Sequence, residues 1–310
     1  MSWMDIASLA AGLAALFLGG ELLVRGAAGV AEKLGLPMFL IGLTVVGFGT
    51  SMPELLVSLD AAQRGIPDIA IGNVVGSNIS NILLILGLAA LVRPIPLAHA
   101  VPKWDAVVMA VAAQVLFVPF WQGQVDRAAG AVLCAALAAY LALAYQSARA
   151  GAALEDAKPE TANGLWRPLL AAAAGLALLL PGARLLVDGA VAVVRGLEVP
   201  EAYIGLTVVA VGTSLPELAA TLVAAYRRRP EIALGNIVGS NIFNALGILG
   251  LTAVTVPIPV DLRFLVFDLP VMAAVSVLLM LILMRGQYLG RIAGLCLLAG
   301  FAVYVWRAQA

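Results

Sequence analysis

The sequence predicts an all-α integral membrane protein whose ten transmembrane helices form two inverted five-helix repeats. Three observations carry this prediction: an apolar composition, ten apolar stretches of spanning length, and one residue pattern that recurs 163 positions later. Of the 310 residues 63% are hydrophobic and 12% charged, and the mean hydropathy is +1.03. A soluble domain carries about 25% charged residues.

A bilayer core of about 30 Å needs about 20 apolar residues per helix. Stretches of that kind lie at 3–30, 36–63, 68–92, 104–121, 127–147, 166–195, 200–226, 231–255, 264–284 and 289–307. The first carries Glu21 and Arg25, lacks a basic leader and has no small-residue cleavage site, so it reads as a spanning helix rather than a signal peptide. One polar stretch longer than a turn, Arg149–Gly164, holds Glu155, Asp156, Lys158, Pro159 and Glu160. It separates a first repeat, 1–148, from a second, 165–310, with 149–164 as a cytoplasmic linker.

Residues Glu21–Pro96 align without a gap on Arg184–Pro259, and between Leu36 and Pro96 37 of 61 positions are identical to their partners. The identities include polar and helix-breaking residues, so duplication rather than shared hydrophobicity accounts for them. Five spans per half is an odd number, which makes the second copy enter the membrane from the opposite side. Inverted repeats of this kind build midplane binding sites from discontinuous helices.

Lysine and arginine resist translocation, and their distribution sets the orientation. With the N-terminus outside, eleven of them fall in cytoplasmic loops: Lys33, Arg93, Lys103, Arg149, Lys158, Arg167, Arg227, Arg228, Arg229, Arg285 and Arg291. Five fall outside: Arg64, Arg127, Arg195, Arg263 and Arg307. Both termini are therefore expected outside a cytoplasmic (inner) membrane crossed many times. The 18 basic and 18 acidic residues cancel, which argues against a nucleic-acid partner, and no obligatory protein partner is evident beyond the lipid bilayer. Cys134 and Cys296 lie in separate apolar stretches and read as packing residues. His99, the one histidine, cannot build a metal site alone. No nucleophile-and-base arrangement, phosphate loop or Cys/His cluster is present, so neither an enzyme nor a bound cofactor is expected.

The chemistry concentrates in two motifs. The second span contains Gly47-Phe48-Gly49-Thr50-Ser51-Met52-Pro53-Glu54, and the seventh contains Ala210-Val211-Gly212-Thr213-Ser214-Leu215-Pro216-Glu217. Each proline lacks an N–H and clashes with the carbonyl four residues earlier, so each helix is expected to break. Freed carbonyls from about Gly47 to Thr50, and from Ala210 to Thr213, would then face inward, where irregular backbone is tolerated because it lines a cavity. An acidic residue at the centre of a membrane helix costs roughly 2.5–3.5 kcal/mol on insertion scales. Two at equivalent depth call for a cation, and calcium takes about 6–8 oxygens of the kind gathered here.

The third and eighth spans add Gly72-Asn73-Val74-Val75-Gly76-Ser77-Asn78-Ile79-Ser80-Asn81 and Gly235-Asn236-Ile237-Val238-Gly239-Ser240-Asn241-Ile242-Phe243-Asn244. Asn73, Ser77 and Asn81 share one helix face at i, i+4 and i+8, as do Asn236, Ser240 and Asn244. Gly76 and Gly239 would let a neighbouring helix approach closely.

The doubled Gly-Thr-Ser-x-Pro-Glu and Gly-Asn-x-x-Gly-Ser-Asn pattern resembles the cation/calcium exchanger superfamily, and most of all its short prokaryotic sodium/calcium exchanger branch. The resemblance covers both repeats and implies a secondary active antiporter that exchanges Ca2+ for Na+ by alternating access and exports calcium. It also implies the ligands: Glu54 and Glu217 as central calcium-binding residues, Thr50, Ser51, Thr213 and Ser214 flanking them, and the carbonyls of Gly47 and Ala210 beside these. Ser77 and Ser240 match outer sodium sites, while Asn81 and Asn244 match the pair next to the glutamates. Some family members carry an aspartate at one of those last two positions, whereas both are amides here. The site is thus left near −2, which balances one calcium or two sodium ions.

Plainer readings stand beside these. Asn73, Asn78, Asn236 and Asn241 read first as helix-packing residues. Glu21 with Arg25, and Arg184 with Asp188, read as i,i+4 charge neutralisation, and Arg227–Arg229 as an anchor at the cytoplasmic end of the seventh span. A proton/calcium exchanger, with the membrane carboxyls carrying the protons, is an alternative, and a passive cation channel or a membrane sensor without turnover is one of a different class.

Overall fold

The computed structural model describes residues 3–98, 100–154, 164–195 and 210–308, and its helices fall on the predicted apolar stretches. The first half comprises α1 (Trp3–Leu34), a bent pair formed by α2 (Met38–Thr50) and α3 (Met52–Gln63), then α4 (Pro67–Val92), α5 (Lys103–Trp121) and α6 (Arg127–Leu154). The second comprises α7 (Trp166–Arg195), α8 (Ala210–Thr213), α9 (Leu215–Tyr226), α10 (Pro230–Thr255), α11 (Phe264–Arg285) and α12 (Arg291–Ala308). Among the described residues eight helices are long and apolar enough to cross a bilayer, or nine with the α2–α3 pair counted as one bent span. The seventh predicted span, 200–226, is represented by α8 and α9. Residues 196–209 lie outside the described residues, as does His99. At the other boundary α6 continues past the predicted end at 147 to Leu154, because the start of the polar segment is alanine-rich and favours helix.

Burial separates centre from periphery. In α10, 89% of the apolar window is buried, and in α4 78%, against 11% in α12. The repeat-motif helices therefore sit in the middle, with the others between them and the lipid. Outward-facing Phe17, Val118, Val132, Ile292 and Val303 form an apolar exterior with no core of its own to join. Exposed tryptophans mark helix ends: Trp104, Trp121, Trp166 and Trp306. Arg167 and Arg307 stand over the rings of Trp166 and Trp306, at 5.3 and 5.5 Å, an arrangement suited to a membrane–water interface.

An all-α reading misses two small ladders. The dipeptide strand β1 (Ile95–Pro96) pairs antiparallel with β4 (Tyr288–Leu289), and β2 (Gln124–Val125) with β3 (Ile258–Pro259). Residues preceding proline favour extended backbone, and these loops satisfy their backbone groups on the other half of the chain. Each ladder thus ties a loop of one repeat to a loop of the other.

α1 and α7 lie against each other along a seam of glycines at seven-residue spacing, Gly12, Gly19 and Gly26 on one and Gly175, Gly182 and Gly189 on the other. A Cβ at Gly19 would stand 2.9 Å from the Gly175 carbonyl oxygen, and one at Gly12 2.6 Å from the Leu186 nitrogen. Backbone meets backbone there, as small residues allow between membrane helices.

Some charges outside the centre are paired. Glu21 on α1 binds Arg25 one turn on and Arg227 at the end of α9, the latter through Nη2 at 2.6 Å and Nε at 2.8 Å. Arg227 therefore links α1 to α9, beyond the anchoring expected of it. No ion pair joins Arg184 to Asp188 among the described contacts, which corrects the expected i,i+4 pair. Both side chains are exposed on α7. Cys134 packs at the Gly250 backbone, whereas Cys296 faces outward instead of packing.

Two buried acid–tyrosine pairs hold the outer helices. Tyr140 on α6 donates to Asp105 Oδ1 on α5 at 2.5 Å, and Tyr304 on α12 donates to Asp268 Oδ1 on α11 at 2.9 Å. Asp268 Oδ2 also lies 3.4 Å from Arg263 Nε. Tyr140→Phe leaves the Asp105 carboxyl without this donor, and a loss of about 1–3 kcal/mol is expected, read as a lower thermal unfolding midpoint. Tyr304→Phe should lower it less, because Asp268 keeps its arginine.

Candidate ion-binding site

The α2–α3 bend measures 43° and is confined to Ser51. Ser51 has φ −84°, ψ 6°, and its counterpart Ser214, between α8 and α9, has φ −88°, ψ 7°. Pro53 and Pro216 then sit in the first turns of α3 and α9, where a missing N–H costs nothing. The break is shorter than the sequence predicts. Gly47–Thr50 and Ala210–Thr213 remain helical, since a proline releases only the carbonyl four residues before it. The Gly47 carbonyl is not free: it accepts the Ser51 N–H at 3.1 Å and the Ser240 hydroxyl at 3.3 Å.

Glu54 and Glu217 occupy the first turns of α3 and α9, each only 1% exposed. They are held crosswise. Ser51 Oγ donates to Glu217 Oε1 at 2.9 Å, and Ser214 Oγ donates to Glu54 Oε1 at 3.2 Å. Each break of one half thus fixes the carboxylate of the other. The second oxygens, Glu54 Oε2 and Glu217 Oε2, are buried with no hydrogen-bond partner. Buried carboxylate oxygens left without donors are expensive, and a bound cation supplies what the protein does not.

The asparagines divide into two groups. Asn73 donates to the Glu54 backbone carbonyl and to Ser58 Oγ, both at 2.9 Å, and accepts the Thr213 hydroxyl at 3.4 Å. Asn236 repeats this in the other half, donating to the Glu217 carbonyl at 3.2 Å and Thr221 Oγ1 at 2.8 Å, and accepting Thr50 at 3.2 Å. Both act as positioning residues. Asn236→Leu should lower stability by about 1–3 kcal/mol through the groups it strands, and a thermal melt will show it. Asn73→Leu should cost less, since Asn73 is only half-buried.

Asn81 and Asn244 lie two turns farther along the same faces, and both are 1% exposed. Asn81 opens the π-helical turn Asn81–Ile85, and Asn244 lies in Phe243–Ile248, a helix form that recurs at functional sites. Asn81 donates to Asn241 Oδ1 at 3.1 Å, while Asn81 Oδ1 and both polar atoms of Asn244 have no partner. Asn78 and Asn241 point their amides at the sulfurs of Met272 and Met109. Ser77 Oγ lies 3.5 Å from Ser214 Oγ, next to Glu54. Gly239 gives the close approach expected of it, since a Cβ there would overlap the Leu43 backbone of α2. Gly76 has nothing within 4 Å, and Leu206, the partner of Leu43 at the 163-residue offset, lies outside the described residues.

Sequence reasoning missed Ser58 and Thr221, buried hydroxyls that anchor the two positioning asparagines. Their signal was available, because they are equivalent under the same 163-residue offset.

Comparison with known proteins gives this geometry its context. The pattern of the sodium/calcium exchanger protein family matches residues 4–146 and 168–308, which is most of the chain. The chain belongs to the sodium/calcium exchanger family. Relatives match this exchanger-family chain over nearly its whole length. It is 32% identical over 336 residues to the sodium/calcium exchanger MaX1 of Methanosarcina acetivorans, covering 95% of each chain. It is 36% identical over 308 residues to the inner membrane protein YrbG of Escherichia coli, covering 96% of this chain and 95% of that one. Its fold matches the sodium-calcium exchanger NCX_Mj, solved after soaking with zero Na+ and Ca2+, with a TM-score of 0.87 and 30% identity over 99% of this chain and 100% of that one. The family is one of multi-pass membrane exchangers.

Proposed function

We propose that this chain is a secondary active antiporter that exchanges Ca2+ for Na+ across the cytoplasmic membrane and exports calcium. The observation that carries the reading is the crosswise pair of buried glutamates, each bound by a serine of the opposite half and each presenting one unpartnered oxygen. Thr50, Ser51, Thr213, Ser214, Ser77, Ser240, Asn81, Asn244 and the carbonyls of Gly47 and Ala210 complete the ligand set from which Ca2+ or Na+ draws. A hydroxyl that now donates to a carboxylate can turn and accept the ion, so the present hydrogen bonds stand in for coordination.

The topology is ten spans in two inverted five-helix repeats, with both termini outside and the linker cytoplasmic. α1 and α7 slide together past a core of α2–α3, α4, α8–α9 and α10. Support comes from the glycine seam, which makes α1 and α7 one body. With both glutamates ionised and empty the site cannot pass an apolar barrier, while a bound ion lets it move, so one gradient drives the other.

Purified protein in liposomes, given radiolabelled calcium under sodium, proton or potassium gradients in turn, tests the reading. Calcium movement against its own gradient when sodium alone is imposed is the expected result. Movement driven only by a pH gradient would make the counter-ion a proton. Flux that ignores every counter-gradient would replace the antiporter with a channel.

A further inference from the structure

We propose that the Glu21–Arg227 ion pair is a latch that holds the α1–α7 body against α9 in this conformation, and that a counterpart in the opposite conformation joins Arg184 and Asp188 of α7 to Asp60 and Arg64 of α3. The inference rests on the proposed inverted repeats and sliding motion, and adds the side chains that hold each end position.

Arg227 grips Glu21 side-on, with Nη2 2.6 Å from Oε1 and Nε 2.8 Å from Oε2. A planar guanidinium matches a carboxylate in this two-bonded geometry, which a lateral shift of either helix breaks. The packing beside the pair is equally close. A Cβ at Gly20 of α1 would stand 3.0 Å from Val223 Cγ2 and 3.2 Å from the Ala219 carbonyl oxygen of α9. These contacts join a helix of the sliding pair to a helix of the core, so they part whenever the two bodies move.

The 163-residue offset supplies the matching surface in the other half. Leu215, Ala219, Val223 and Arg227 on α9 correspond to Met52, Leu56, Asp60 and Arg64 on α3, while Gly20, Glu21 and Arg25 on α1 correspond to Ala183, Arg184 and Asp188 on α7. The two surfaces are in different states. Leu215 and Val223 are buried and Ala219 is half-buried, whereas Met52, Leu56 and Asp60 are exposed. Arg64 turns back on its own helix to Asp60, with Nε 2.8 Å from Oδ2, and both side chains of that pair are more than half exposed. Thus α1 covers α9, and the equivalent face of α3 stands open.

A plain copy of the α1–α9 contact on α7 and α3 would set Arg184 against Arg64, because position 21 meets position 227. The like charges are relieved by two acids that the first contact lacks: Asp60, where α9 has Val223, and Asp188, where α1 has Arg25. Arg184 can then pair with Asp60 and Asp188 with Arg64, since residues four apart lie one turn along the same helix face. The sign reversal on α7 and the acid gained on α3 compensate each other across the interface. Each latch stabilises one end position, so removing it tips the balance toward the other.

The test uses the full chain in liposomes, with Cys134 and Cys296 replaced by alanine and with Leu56→Cys and Ala183→Cys at the α3–α7 equivalent of the Ala219–Gly20 approach. A disulfide between the two, formed under mild oxidation and read by mass spectrometry, reports α7 reaching α3. Glu21→Gln should speed its formation roughly three- to tenfold, as loss of a partly exposed charged hydrogen bond allows, and Asp188→Asn should slow it by a similar factor. A merely loosened fold would not move the two rates in opposite directions. Rates that stay the same, or that change in one direction, overturn the latch and leave standing any calcium exchange measured in parallel on the same liposomes. No disulfide in any variant while exchange runs overturns the sliding motion together with the latch. Opposite shifts without coupled exchange keep the latch and remove the proposed antiport.

Discussion

Glu54→Gln and Glu217→Gln will each abolish calcium exchange while leaving the protein folded. Glutamine keeps the length of the side chain and a carbonyl oxygen that still accepts the serine hydroxyl, Ser214 for position 54 and Ser51 for position 217. What disappears is one unit of charge, and a calcium ion then leaves the site at +1 in a region shut off from water. Removing one partner of a buried charge pair costs about 2–5 kcal/mol, which corresponds to roughly thirty-fold to several-thousand-fold weaker calcium binding. The crosswise arrangement adds a second expectation. Each glutamate has a serine of the opposite half and is equally buried, so the two substitutions should weaken calcium binding to a similar degree. Calcium should raise the unfolding midpoint of the wild type, since it binds the folded state alone, and should have little effect on either variant. Calcium uptake by Glu54→Gln at the wild-type rate and calcium dependence would remove Glu54 from the site.

The two glutamate motifs stand out in the sequence because each signal is physically extravagant: an acid inside a long apolar stretch, next to a proline, twice. The same offset that paired Glu54 with Glu217 also pairs Ser51 with Ser214, but only the fold shows that each serine reaches the other half's glutamate. Crossing between repeats is a property of packing, and spacing along one chain cannot reveal it. The helix break was overestimated for a related reason. A proline strips one hydrogen bond, and whether the preceding turn then unwinds depends on neighbours, here the Ser240 hydroxyl and Ser51 N–H that keep the Gly47 carbonyl satisfied. The acid–tyrosine pairs escaped because they fall where the halves lose strict register. Asp268 follows Asp105 by 163 residues, yet Tyr304 follows Tyr140 by 164. The ladders are two residues each and have no periodicity to detect.

The glycine seam between α1 and α7 escaped because glycine is ordinary in membrane helices, and its seven-residue spacing carries no charge or break to draw notice. Its expected effect is nonetheless large. An alanine at 175 would place its Cβ 2.5 Å from the Leu23 nitrogen and 2.7 Å from the Gly19 carbonyl oxygen, both backbone atoms that no rotamer change can move. The two helices must separate along the seam, and overpacking of this kind costs about 1–3 kcal/mol, seen as a lower unfolding midpoint in detergent. Gly290→Ala, where nothing lies within 4 Å, serves as the control and should leave the midpoint unchanged. The double variant Gly19→Ala/Gly175→Ala is the more discriminating test. Each of these glycines abuts the other's carbonyl, so once the first alanine has opened the seam the second finds room, and the two losses should sum to clearly more than the loss in the double variant. Exchange should fall together with stability if α1 and α7 travel as one body, because a parted pair no longer transmits the position of one helix to the other. Gly175→Ala with unaltered melting and unaltered calcium exchange would mean that the close approach matters to neither, and the sliding pair would have to be sought elsewhere in the fold.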